Sequence, residues 1–148
     1  MRLLSSVVGA SLLAGVALAA GPAAAPAHPE KCEVEIGGVV RYPDGKAPPG
    51  KAVVLVAENG DCLKEGAKIL GQVAVQPEGT FFIEVFSRWG ADLTICAAHL
   101  APGADRSTLR GKASGAFHAE AVGEVTFSSL KIDLRKAPPL RIPAPKAR

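Results

Sequence analysis

The residues that invite chemistry are few: three histidines, three cysteines, one tryptophan and one tyrosine. Cys96-Ala97-Ala98-His99 has the C-x-x-H spacing at which a thiolate and an imidazole can share a copper ion. A blue-copper centre also needs an upstream histidine and an axial methionine. No histidine occurs between His28 and His99, and Met1 is the only methionine, so that centre is not expected. A second arrangement uses an amino terminus. Ala25-Pro26-Ala27 has the small-x-small pattern of a processing site, and cleavage there would leave His28 first. A terminal histidine chelates copper through its amine and ring nitrogen, with His99 or His118 completing a brace. A periplasmic copper-binding protein using His28 is therefore the alternative reading.

Serine, histidine and aspartate are all present, but no Gly-x-Ser-x-Gly elbow frames a nucleophile. No catalytic residue, metal ligand or cofactor is expected, and the chain reads as a non-enzyme. Arg88-Trp89 falls at a turn between two strand-like runs, where an exposed indole would stack on a sugar or anchor a protein partner. Both are the candidate binding residues. Capping of the fold's open end is the competing role for Trp89.

Cys32, Cys62 and Cys96 allow one disulfide with one thiol left over. Spacing does not fix the pairing. Cys62–Cys96 is expected because both lie within the body of the domain while Cys32 stands at its fringe; three buried thiols are the alternative.

The compartment is read from the first residues. Arg2 is followed by an uncharged apolar run from Leu3 to Ala20, ending in Ala17-Leu18-Ala19. That is the layout of a cleavable secretory signal, assigned to residues 1–19. A spanning helix of about 18 residues is the competing reading. No basic cluster follows to stop transfer, and Gly and Ser dilute the run. Cys32 follows Pro29-Glu30-Lys31, the wrong context for lipidation. A secreted or periplasmic chain without a stable membrane anchor is expected. Its net charge falls from +3 to +2 because only Arg2 is lost, and its charges are interspersed, which argues against nucleic acid.

Residues 20–30 form a Pro/Ala-rich linker, residues 31–135 the folded domain and residues 136–148 a mobile, basic, Pro-rich tail. Within the domain, Glu33 to Val40 begins by alternating, and Pro43-Asp44-Gly45-Lys46 marks a tight turn. Lys51 to Ala57 reads as a strand buried on both sides. Cys62 to Leu70 is ambiguous between loop and one helical turn. Thr80 to Phe86 is the clearest strand, with Phe81, Ile83 and Val85 on one face. Ala91 to Ala98 follows. Ser107 to Gly123 is unreadable. Glu124 to Leu134 closes the domain, with a phase slip at Ser128-Ser129 that predicts a bulge. No helical period appears. The fold expected is all-β, a single antiparallel β-sandwich of about seven strands, Ig-like in type.

Ile36-Gly37-Gly38-Val39-Val40, Pro43-Asp44-Gly45-Lys46 and Lys51 to Val56, followed by Glu78-Gly79-Thr80-Phe81, resemble the carboxypeptidase regulatory-like domains. These are transthyretin-like sandwiches that mostly serve as accessory, adhesive or scaffold modules. Lys51 and Glu78 depart from the glycine and aspartate usual there. Ring-cleaving dioxygenases on a related sandwich need two tyrosines, and Tyr42 is alone. The resemblance implies the fold; the function expected is a non-catalytic module recognising an unidentified envelope protein or glycan.

Overall fold

The computed structural model describes residues 31–120 and 124–143. Alternation builds the strands. In β4 (Thr80–Arg88), every second residue, from Phe81 through Ile83 and Val85 to Ser87, is buried, and the residues between them face out. β1 (Lys31–Arg41) and β8 (Glu124–Asp133) flank it in sequence space but join it in one sheet, ordered β4-β1-β8. The second sheet runs β3 (Ile69–Ala74), β2 (Lys51–Glu58), β5 (Asp92–Leu100), β6 (Arg106–Lys112) and β9 (Arg135–Arg141), with the two-residue β7 (Phe117–His118) paired to β5.

The two sheets bury a common core. Val34 and Ile36 of β1, Ile83 and Val85 of β4 and Ile132 of β8 meet Val54 and Val56 of β2 and Leu93 and Ile95 of β5. Each such side chain contributes about 1.5–3 kcal/mol on leaving water. The all-β, two-sheet expectation is met. The antiparallel expectation is not fully met: β1 and β8 run parallel, which the long chain between them permits. Among the described residues there are nine strands rather than about seven: the unreadable Ser107–Gly123 stretch holds most of β6 and all of β7, and the expected tail holds most of β9.

β2 is buried on both sides because a second apolar layer covers its sheet from outside. Val53, Leu55 and Ala57 of β2, with Cys96 and Ala98 of β5, pack under Cys62, Leu63, Leu140 and Ile142. Half of that cover is the segment between β2 and β3, which turns through Asp61–Gly66 without forming a helix. Its Asp61 carboxylate accepts the Leu63 N–H at 2.9 Å. The other half is the end of the chain. Residues expected to be a mobile tail from 136 onward instead form β9 and bury Ile142. Two prolines concealed this strand, since Pro138 and Pro139 cannot donate to a ladder. They sit where the β6–β9 register shifts, and the Arg110 guanidinium donates to the carbonyls of Pro138 (2.6 Å) and Ser107 (2.5 Å) in compensation.

The predicted bulge is present. Ile36 pairs with Phe127 and Gly38 with Leu130, so β8 spends one extra residue, and Ser129 adopts a φ of 59°. The Asp44-Gly45 turn also forms, with Gly45 N–H donating to Tyr42 O at 3.1 Å. It joins strands of different sheets rather than a tight hairpin. The signal and linker assignments, and His28, lie outside the described residues, as do residues 144–148.

Candidate functional site

Cys62 and Cys96 form the expected disulfide, with Cα atoms 6.2 Å apart. The premise about Cys32 was wrong, however. Cys32 is buried in β1, its thiol 3.5 Å from Ala119 O, rather than lying at the domain's fringe. The bridge fixes the Asp61–Gly66 turn onto the outer face of β5, and Asp61 adds an ion pair with Lys112 of β6.

The disulfide also removes Cys96 from any copper chemistry. Strand period settles the geometry independently, since positions 96 and 99 are three apart and project to opposite faces of β5. Cys96 belongs to the outer apolar layer. His99 is buried and turned to the β1–β2 loop, where its Nδ1 accepts from Tyr42 Oη at 2.8 Å. Its Nε2 donates to Pro49 O at 3.1 Å. A carbonyl only accepts, so the bond to Pro49 places a proton on Nε2, and both ring nitrogens are engaged. Burial pushes the Tyr42 phenol up. Gly50 completes the contact, at a φ of 124°: a Cβ there would lie 2.1 Å from Leu100 O and 3.0 Å from His99 Nε2.

His118 lies on β7, opposite Asp92 at the other end of β5. It pairs with Asp92, Nδ1 to Oδ1 at 2.5 Å. Seven residues of strand separate Asp92 from His99, roughly 23 Å. The two histidines therefore belong to separate sites, and neither is hydrogen-bonded to a serine among the described residues; His28, which either one would have to join in a copper brace, lies outside those residues.

Arg88 and Trp89 lie where β4 turns into β5, and Trp89 is 37% exposed. Arg88 is tied to a residue the sequence did not single out. Glu58, at the end of β2, is buried and accepts from Lys68 Nζ (3.3 Å), Ser87 Oγ (3.4 Å) and the Arg88 N–H (3.3 Å). Arg88 Nε approaches it at 3.8 Å. Burial pushes the Glu58 carboxyl up, but the Arg88 N–H and the Lys68 ammonium outweigh it and hold it below the ordinary range.

Among the described residues, the outer face of the three-stranded sheet has no cover comparable with that of its neighbour. Phe82 and Phe86, two steps either side of Glu84, are 57% and 58% exposed. Opposite them on β1 stand Gly37, Glu35 and Glu33, paired with Phe82, Glu84 and Phe86 respectively. Gly37 makes room for the Phe82 ring, whose Cδ2 lies 3.7 Å from where a Cβ would be. Carboxylate oxygens of Glu33, Glu35 and Glu84 lie within 4.8 Å of one another. The face thus sets Phe82 and Phe86 around three acids, with the exposed Lys31–Arg88 pair beyond Phe86.

No family model and no curated protein matches this chain. Among solved structures it is similar to an alternative pilotin from the type II secretion system of Vibrio cholerae. That likeness has a TM-score of 0.39 and 17% sequence identity, covering 71% of this chain and 99% of the pilotin chain. So distant a likeness carries no argument about fold or function. No helix among the described residues is long and apolar enough to cross a membrane.

Sequence reasoning passed over this face although its signal was present. The alternation that assigned Phe81, Ile83 and Val85 inward also sends Phe82 and Phe86 outward, and large aromatics sent to solvent are the informative case. Glu58 and the Tyr42–His99 pair had no such signal. Their partners are remote in sequence, and only packing brings them together.

Proposed function

We propose that this chain is an exported, non-catalytic module of the transthyretin-like type that recognises a protein partner through the open face of its three-stranded sheet. One observation carries the reading: the chain covers the outer face of one sheet with its Asp61–Gly66 turn and with Leu140 and Ile142, yet leaves Phe82 and Phe86 on the other more than half exposed. Large side chains bared in this way mark recognition surfaces. Export is supported by the signal-like first residues and by a disulfide, which persists in oxidising compartments.

The acids select the partner. A second copy presenting the same face would bring like charges together, whereas a cationic segment with interleaved apolar residues matches both the phenylalanines and the acidic sign of Glu33, Glu35 and Glu84. Arg88 and Trp89 border this face at the end of β4 and limit its reach.

The test is amide NMR of the folded chain with a short peptide alternating lysine and leucine, compared with its glutamate counterpart. The lysine peptide is expected to shift resonances of β4 and β1, with loss of the effect in Phe82→Ser/Phe86→Ser and weakening in salt. Equal binding of the glutamate peptide, or no dependence on the phenylalanines, would discard the reading. In parallel, wild type and the double variant should differ in the basic proteins each captures from an envelope extract.

A further inference from the structure

At one end of the sandwich, away from the phenylalanine face, the loop between β1 and β2 meets the start of β9. Between them is a cleft of about 580 Å³. Its apolar wall comes from Tyr42, Pro48 and Leu109. Three cations stand around it, Lys46, Arg135 and Lys136, against the single carboxylate of Asp44. None of the three is in a salt bridge among the described residues. Asp133, adjacent in sequence to this corner, is held by Arg41 through two bonds of 2.7 and 3.0 Å, and the charge of Arg135 also acts on it without forming a salt bridge.

The wall is also held in place. The Tyr42 hydroxyl is committed to His99, and His99 to Pro49, so the loop is fastened to β5 on both sides of Pro48. Arg135 and Lys136 reach the cleft because β9 is a strand of the sheet rather than a solvated tail. A volume in the range of small-molecule sites, an apolar wall and three cations, none in a salt bridge among the described residues, against one lining carboxylate fit one chemistry. We infer that this cleft binds a small anion with an apolar body, an aromatic or short aliphatic group ending in a phosphate or carboxylate. The ring or chain lies against Tyr42, Pro48 and Leu109, and the anionic end faces Arg135, Lys136 and Lys46.

Tyr42 is the only tyrosine in the chain, so its ring resonances report on the cleft without ambiguity. Phenyl phosphate is titrated into the full chain and the Tyr42 ring signals are followed, with inorganic phosphate and phenol as separate arms. The expected result is a saturable shift with phenyl phosphate at concentrations where neither fragment alone produces one. Arg135→Ser/Lys136→Ser should weaken that binding about tenfold, as loss of charge-assisted contacts does. Both residues are exposed, and retained amide dispersion checks the fold; should the pair fail to fold, Lys46→Ser serves in its place. Absence of a shift, an equal shift from inorganic phosphate, or indifference to the cation variants would overturn the assignment.

Discussion

Tyr42 Oη donates to His99 Nδ1 at 2.8 Å, joining residues 57 positions apart. The bond links the loop after β1 to the end of β5, and it leaves the other ring nitrogen to hold Pro49. A loop that would otherwise be a surface excursion becomes a fixed wall of the cleft.

Removing that hydroxyl tests the wall directly. Tyr42→Phe strands a buried imidazole nitrogen, so unfolding free energy should fall by about 1–2 kcal/mol. Urea denaturation measures it. Amide exchange across residues 43–50 should speed up more than exchange in β4, and uniform change would argue that the bond does not fasten the loop.

Gly38 is a second single-residue dependency. The β8 bulge drives Leu130 O to 2.2 Å from where a Cβ on Gly38 would sit. Backbone cannot retreat as a side-chain end does, so Gly38→Ala should cost roughly 2–3 kcal/mol or more. Gly37→Ala, facing ordinary contact distances, provides the control in the same melting experiment.

The disulfide spans 34 residues. Replacing both Cys62 and Cys96 with serine should lower stability by about 3–4 kcal/mol through the freedom restored to the unfolded chain. Near-native β dichroism should persist, because the core between the sheets does not include the bridge. Limited proteolysis should then cut first within residues 59–68.

Glu58 sets a pH dependence of known sign. Its carboxyl is held below the ordinary value of 4.5, so folding favours the ionised form. The resulting stability is present above the unfolded-state value and is lost as pH falls through the folded one. Wild type should therefore lose stability more steeply than Glu58→Gln on acidification below about pH 4.5. Urea midpoints at several acidic pH values give both slopes. Other lowered carboxylates, Asp61 and Asp133 among them, are common to both proteins and cancel in the difference.

What could be read from residues alone was whatever depends on neighbours in sequence. The period-two pattern of Thr80 to Phe86 assigned both faces of β4, and the unbroken apolar run of β2 required cover on both sides. The serine pair announced the bulge in β8. The disulfide was expected with the right partners, although Cys32 turned out to be buried rather than peripheral.

The remainder belongs to contacts between distant segments. No local property says that β1 lies parallel to β8, because strand pairing is settled by which apolar faces meet. Pro138-Pro139 read as tail, since proline cannot extend a ladder unaided; β9 exists because Arg110 and the register shift at Ser107–Leu109 accommodate it. His99 offered a metal spacing with Cys96 in one dimension, and the pleat of the strand sent the two side chains to opposite faces. Local chemistry specified the strands and the face that Phe82 and Phe86 share, while packing alone chose the partners of Glu58 and His99 and assembled the cations of the cleft.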